Sequence, residues 1–284
     1  MKIGVTGATG QLGRLVIEQL LKRCEAKDLV AIVRDAAKAA DLAERGIEVR
    51  VASYDDRPAL EAAVAGLDKL LLISSNEVGR RIPQHQNVID AAKAAGVKQV
   101  VYTSAPKATT SSLILAPEHK ATEEYLAASG LAYTVLRNNW YSENYTQTIG
   151  NAAASGEIVS AAGQGRVASA PRADYAEAAA VVLTSDGHEG KVYELGGDQA
   201  WDFAELAAMV AEVTGKPCTY KPVSVEDLVE RMRQAGLDEG TAAFVAGLDS
   251  NIAEGALAEV TGDLSRLIGR PTTPMKETVK AVLQ

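Results

Sequence analysis

An α/β fold, a doubly wound parallel sheet with a smaller, mainly helical C-terminal lobe, is what this 284-residue sequence predicts. Three observations carry that expectation. Short β-rich runs alternate with Ala-rich helical patterns through the first half of the chain; a glycine closes four of the helical stretches; and three glycines at regular spacing follow the first β-rich run. The β-rich runs are residues 2–6, 29–33, 48–51, 69–74, 99–103 and 132–136, built largely from Val, Ile, Leu, Thr and Tyr. The helical stretches between them are 12–22, 36–45, 57–65, 83–95 and 118–129. Gly46, Gly66, Gly96 and Gly130 follow the last four, where a helix ends on a residue tolerant of positive φ. Strand, helix, glycine, strand in repetition means βαβ units and a parallel sheet. Right-handed crossovers then place helices on both faces. Six such strands read as a Rossmann sheet.

The second half is less regular. Residues 151–167 carry Gly or Ser at five of seventeen positions, which predicts loops and short strands. A helix is expected over 172–184, a strand returning to the sheet over 191–195, and further helices over 203–214, 225–235 and 274–283. Boundaries fall near Gly197 and at Arg270-Pro271, and no internal repeat, low-complexity tail or charge block appears.

The strongest chemical signal is Thr6-Gly7-Ala8-Thr9-Gly10-Gln11-Leu12-Gly13, between the first strand and the first helix. Gly7 permits a tight turn, Gly10 lets a pyrophosphate approach the backbone, and Gly13 allows close helix–strand packing. Amides near Gln11 and Leu12, with Thr9 beside them, would face the phosphates at the positive end of the helix dipole. The spacing is G-x-x-G-x-x-G, and its strand–turn–helix context points to dinucleotide binding. Arg34 stands at the end of the second strand, about 20 residues beyond the last glycine. There an acidic residue would hold the ribose 2′-hydroxyl of NAD, and an arginine pairs with the 2′-phosphate of NADP. NADPH is therefore favoured over NADH, with neighbouring Asp35 the residue that would reverse the preference if it faced the ribose. Ligands sit at the carboxyl ends of parallel strands. That adds Tyr54 and Asp55 near the adenine, and Ser74, Ser75, Thr103 and Ser104 near the ribose and nicotinamide, each equally readable as a loop residue. On this basis residues 1–138 and 172–196 form a dinucleotide-binding domain, and 139–171 with 197–284 a substrate-side lobe.

Composition excludes several classes. Lys and Arg number 29 against 37 Asp and Glu, a net charge of −8, with no basic cluster to track phosphates. Aromatics are only 5%, too few for stacking platforms, so no nucleic-acid partner is expected. The hydrophobic share of 47% and charged share of 23% are those of a globular chain. The two cysteines, Cys24 and Cys218, are far apart and fit no metal or redox spacing. The first residues lack the apolar core of a signal peptide, and no apolar run reaches membrane-spanning length. A cytoplasmic protein without a membrane partner is expected, and Asn144-Tyr145-Thr146 reads as a chance sequon. No pair of histidines or carboxylates makes a metal site.

T-G-A-T-G-Q-L-G, followed by A-I-V-R, L-L-I-S-S and V-V-Y-T-S, resembles the short-chain dehydrogenase/reductase superfamily in its atypical NmrA-like branch. Y-T-V-L-R-N-N-W-Y-S-E-N-Y at residues 133–145, H-E-G-K-V-Y-E-L at 188–195 and the late L-I-G-R-P-T-T are similar to the bacterial type 2 NAD(P)H:quinone oxidoreductases. The triphenylmethane dye reductases share much of this pattern. The resemblance spans essentially the whole chain. It implies an active site in the cleft and hydride transfer from NADPH without flavin.

The superfamily's Tyr-x-x-x-Lys pair is missing. Glu123, four residues after His119, aligns His119 with the Lys position and Leu115 with the Tyr position. Lys120 is one residue out of register, about 100° round a helix. Chemistry that must protonate a hydroxyl is thereby disfavoured, whereas a quinone takes hydride readily and its product can draw a proton from water. His119 is the candidate proton donor, its alternative being packing or a hydrogen bond to the cofactor. His85 and His188 read as structural or surface residues. Asn138 and Asn139 offer amides to a carboxamide or quinone oxygen. Trp140 and Tyr141 offer a flat stacking surface or, alternatively, a seal between domain and lobe. Asn144, in the same W-Y-S-E-N-Y stretch, completes the substrate-side candidates. The expected activity is two-electron reduction of quinones by NADPH. Reduction of triphenylmethane or azo dyes and non-catalytic NADP(H) sensing are the competitors. The physiological acceptor is not legible, and a homodimer is left open.

Overall fold

The computed structural model describes every residue from Met1 to Gln284. Along the chain run β1 (Ile3–Thr6), α1 (Gln11–Leu20), β2 (Leu29–Val33), α2 (Ala40–Glu44), β3 (Glu48–Val51), α3 (Arg57–Val64) and β4 (Lys69–Leu72). Next come α4 (Arg81–Ala94), β5 (Gln99–Ser104), α5 (Ala116–Ala128), β6 (Ala132–Asn138), α6 (Thr146–Ser155), β7 (Glu157–Ser160), α7 (Arg172–Thr184) and β8 (Val192–Leu195). The chain closes with α8 (Phe203–Thr214), β9 (Thr219–Pro222), α9 (Val225–Gln234), α10 (Glu239–Ala253), α11 (Asp263–Ile268) and α12 (Met275–Leu283). Two compact units result. Unit 1 is Met1–Thr109, Leu115–Asn138 and Arg172–Glu194; unit 2 is Thr110–Ile114, Asn139–Pro171 and Leu195–Gln284.

The seven-stranded sheet has the order β3-β2-β1-β4-β5-β6-β8. All pairings from β3 through to β6 are parallel. Strand order reverses between β1 and β4, the place where open α/β sheets bind ligands. Successive side chains point to opposite faces of a strand. Val30, Ile32, Leu70, Leu72, Val100, Tyr102 and Val135 accordingly share one face. They form a single core with Leu60, Val64, Val88, Ile89 and Leu126 of α3, α4 and α5. The alternate residues Ala31, Leu71, Val101 and Leu136 are just as buried. On their side α1 and α7 pack on each other and on strands of the sheet. A strand covered on both faces needs apolar residues at every position, which is why L-V-A-I-V and K-L-L-L show no alternation. The four helix-ending glycines hold φ of 83° (Gly46), 73° (Gly66), 71° (Gly96) and 82° (Gly130).

Unit 2 is mainly helical with one small sheet, β7 paired parallel to β9. Helix α12 packs on α6 and α8, and α9 on α10. Its aromatic centre is Tyr145, 4.8 Å from Trp201 and 5.8 Å from Phe203 between ring centroids, with Phe203 stacked on Tyr220. Trp201 Nε1 donates to Ser169 Oγ at 2.9 Å. Within residues 151–167 the expected short strand and loop are present as β7 and the turns after it, but 151–155 differ, since α6 runs on to Ser155 before a glycine with φ 75° ends it. Asn151-Ala-Ala-Ala-Ser is a helical end, and its Ser and Gly mark the cap and not a loop. Helix α10 also went unanticipated, although Asp238 caps it by accepting from the Thr241 amide.

Candidate active site

The turn after β1 is closed by a hydrogen bond from the Gly10 amide to the Gly7 carbonyl at 2.9 Å, with Gly7 at φ 58°. A Cβ at Gly13 would stand 2.2 Å from Gly7 O and 2.8 Å from Ala8 Cα, both backbone atoms. Only glycine lets α1 start this close to the strand end. Gly10, at the N-cap of α1, supplies no side-chain cap, and the first turn holds no acidic residue. Uncapped amides at the positive end of a helix dipole make an anion site. The cradle therefore fits a dinucleotide diphosphate.

A groove of about 540 Å³ opens from this turn. Of the residues expected to face a cofactor, Gly7, Thr9, Gly10, Gln11, Leu12, Gly13, Arg34, Tyr54, Ser74 and Ser75 line it together. Thr103 and Ser104 do not. Both are buried behind it: Thr103 Oγ1 accepts from the Ser74 amide at 2.9 Å, and Ser104 Oγ donates to Glu123 Oε1 at 2.6 Å. Strand β5 runs one residue further than expected, to Ser104, and is buried along its whole length, so both side chains lie in the interior. Asp55 is likewise outside the lining and accepts from Arg80 and Gln84. Sequence reasoning missed the polar residues Lys38, Ser53, Asn76, Glu77 and Gln84 and the apolar Ile32, Ala52 and Ile73, which also line the groove. Lys38, four residues after Arg34, was findable as a second cation at the β2 end. Glu77 reaches the groove from the β4–α4 loop and Gln84 from the first turn of α4, placements that leave no local signal.

Arg34 stands exposed at the groove's rim, its Nη1 3.2 Å from Glu77 Oε1. Asp35 also lines the groove, but its Oδ1 accepts the Ala37 amide at 2.9 Å as a cap for the turn that follows. One of its oxygens is thereby engaged locally. The Tyr54 hydroxyl, beside Thr6 Oγ1 at 2.5 Å and Ile73 O at 2.8 Å, bridges the ends of β1 and β4. Burial raises its pKa far above the usual tyrosine range, so it stays protonated.

Behind Ser75 lies a buried polar network. His85 Nε2 accepts the Ser75 amide at 2.9 Å, so its proton is on Nδ1, 2.9 Å from Thr122 Oγ1. Arg81 Nε donates to Ser75 O at 2.6 Å, and Arg81 Nη1 lies 3.3 Å from His119 Nε2. A guanidinium only donates. His119 therefore carries its proton on Nδ1, 2.7 Å from the Tyr102 hydroxyl. Burial first, and the Arg81 charge second, hold the pKa of both histidines down to about 3. His119 is neutral near pH 7, with both ring nitrogens engaged inside the protein.

Asn138 ends β6 and is buried in unit 1. Asn139, Trp140, Tyr141 and Asn144 belong to unit 2. Asn139 is buried there, its Nδ2 donating to Leu257 O at 3.2 Å and its Oδ1 accepting the Trp140 amide at 2.7 Å. That amide holds backbone in place. Trp140 and Tyr141 are half-buried and Asn144 is exposed.

A family model described as NAD(P)H-binding matches residues 7–186, from the glycine turn past the last helix of the sheet unit. The chain belongs to this NAD(P)H-binding family. This NAD(P)H-binding protein is 53% identical to quinone oxidoreductase 2 of Escherichia coli over 277 residues, 98% of this chain and 97% of that one. The crystal structure of the E. coli NADPH-dependent quinone oxidoreductase in complex with NADPH superposes with a TM-score of 0.97 at 52% identity, covering 99% and 100% of the two chains. The Citrobacter sp. triphenylmethane reductase complexed with NADP(H) superposes at 0.95 with 43% identity, covering 99% and 100%. The NmrA-like resemblance and the Rossmann architecture read from the sequence both hold for this NAD(P)H-binding protein.

Proposed function

We propose that the protein reduces quinones in one two-electron step at the expense of NADPH, without flavin or metal, in the cytoplasm. The observation that carries the reading is the groove itself: glycine cradle, uncapped helix start and cationic rim at the sheet's switch point. The 53% identity to a quinone oxidoreductase supports it. Gly7, Gly10 and the first-turn amides of α1 receive the diphosphate, Arg34 and Lys38 the 2′-phosphate, and Tyr54 forms a wall. NADPH, when bound, supplies the hydride. The chain's task is then to hold nicotinamide and acceptor at reacting distance and to exclude water. Asn138, buried at the end of β6 in unit 1, is the acceptor's contact in this reading. His119 acts as a positioning residue, because a neutral imidazole held by Arg81 and Tyr102 is a poor acid. Protonation of the product falls to water. No helix is long and apolar enough to cross a membrane.

The test is loss of nicotinamide absorbance when purified protein is mixed with NADPH and a benzoquinone or naphthoquinone, after flavin absorbance has been checked. Saturable turnover preferring NADPH over NADH supports the proposal. Turnover confined to cationic dyes would favour the second reading, which rests on the 43% identity to a triphenylmethane reductase. Tight binding of NADPH with no turnover of either class would make the protein a sensor.

A further inference from the structure

The rim of the groove carries an ion chain that ties Arg34, the cation assigned to the 2′-phosphate, to the protein's own carboxylates. Arg34, leaving β2, faces Glu77, from the loop after β4, at 3.2 Å. The second Glu77 oxygen accepts from Arg80 Nη1 at 2.9 Å and Gln84 Nε2 at 3.2 Å. Arg80 Nη2 continues the chain to Asp55 Oδ1 at 2.9 Å. Glu77 is thus tied down from behind, and its backbone amide donates to Ser75 Oγ at 3.1 Å. Arg34 and Glu77 both line the groove, so a carboxylate stands at the guanidinium that the 2′-phosphate needs.

We propose that Glu77 is a specificity-determining residue, a latch that occupies Arg34 until a 2′-phosphate displaces it, and so sets the preference between NADPH and NADH. The inference rests on the NADPH reading of the groove. A dianionic phosphate can take Arg34 from Glu77, because it carries two negative charges against one and can accept two guanidinium N–H groups, where Glu77 holds Arg34 through a single contact at 3.2 Å. Displaced, Glu77 keeps Arg80 and Gln84, and its negative charge stays beside the phosphate. NADH brings no anion to this position and leaves the latch closed. Glu77 therefore weakens NADPH selectively, an exposed ion pair being worth about two- to fivefold in an equilibrium.

The experiment is calorimetric titration of the purified protein with NADPH, NADH and adenosine 2′,5′-bisphosphate at one ionic strength. The proteins are the unmodified chain, Glu77→Gln, Arg34→Ala and the double variant. Glu77→Gln keeps an oxygen for Arg80 and should bind NADPH and the bisphosphate about two- to fivefold tighter, with NADH unchanged. Arg34→Ala should weaken NADPH about tenfold or more, and in that background the gain from Glu77→Gln should shrink. Weaker or unchanged NADPH binding in Glu77→Gln overturns the latch while leaving Arg34 as a phosphate ligand. An equal gain for NADH, or an undiminished gain without Arg34, also overturns it, since either means general repulsion. NADPH affinity unaltered by Arg34→Ala would remove Arg34 as the ligand of the 2′-phosphate, and the latch with it, while leaving the glycine cradle as the cofactor's site.

Discussion

The Arg81 guanidinium and the His119 imidazole meet at 3.3 Å in the interior of unit 1, both nearly inaccessible to solvent. Burial, and after it the fixed Arg81 cation, disfavours a second proton on this ring, and His85 is depressed by the same two causes in the same order. With folded pKa values of about 3 against 6.5, the unfolded chain binds more protons throughout that interval. The stability contributed by the two neutral rings is therefore complete above pH 6.5 and is lost as pH falls toward 3. Two protons taken up on unfolding give a limiting slope of about 2.7 kcal/mol per pH unit. Urea midpoints followed downward from neutrality should show the decline above the carboxylate range. His119→Gln should flatten it, and an unaltered slope would exonerate this ring.

The same contacts make a prediction about turnover. Removing a general acid lowers rates by about 10²–10⁴-fold. His119→Gln should instead keep kcat within about threefold of the parent and leave the shape of its pH profile unchanged. A profile that loses a limb would return His119 to the role of proton donor.

Gly13→Ala places a methyl group 2.2 Å from the Gly7 carbonyl oxygen, and no flexible side chain is there to yield. The turn or the helix must move. The expected result is a loss of NADPH affinity greater than about tenfold and a destabilisation near 2 kcal/mol. Fluorescence titration and thermal unfolding of the same samples read both.

Arg137 binds Glu123 through two bonds, at 2.9 and 2.6 Å, and Glu194 through a third at 2.7 Å, with Glu123 also accepting from Ser104. Side-chain exposure is only 13% for Arg137 and 8% for Glu123, so the pair lies well out of water. Arg137→Ala leaves a buried carboxylate without its cation and should cost about 3–5 kcal/mol in urea unfolding. The double variant Arg137→Met, Glu123→Leu should recover most of that loss.

Unit 1 was legible because its central strands β1, β2, β4 and β5 are buried on both faces and four of its helical stretches end on glycine. L-V-A-I-V and Gly46 or Gly66 are local statements, readable without a partner in view. The glycine turn was legible for the same reason, every contact that requires Gly7, Gly10 and Gly13 lying within a few residues. Thr103 and Ser104 show where that stops. They sit at the carboxyl end of a strand, as cofactor ligands do, yet Ser104 faces Glu123 and Thr103 faces Ser74, partners far away in sequence. Glu77 and Gln84 are the converse, ordinary polar residues in the sequence that the β4–α4 loop and the first turn of α4 bring into the groove wall. Helix α10 was lost between two weak cues, a capping Asp238 and an internal Gly240 and Gly247 that dilute its helical pattern.

The tyrosine that joins β1 to β4 has a consequence for how quickly and at what entropy a ligand is received. With its hydroxyl held between Thr6 and Ile73, the ring of Tyr54 has few rotamers left to surrender. Ordering a mobile aromatic wall on association would subtract about 0.5–1.5 kcal/mol from affinity. Here that ordering is completed during folding, so the encounter is with a surface already in its final shape.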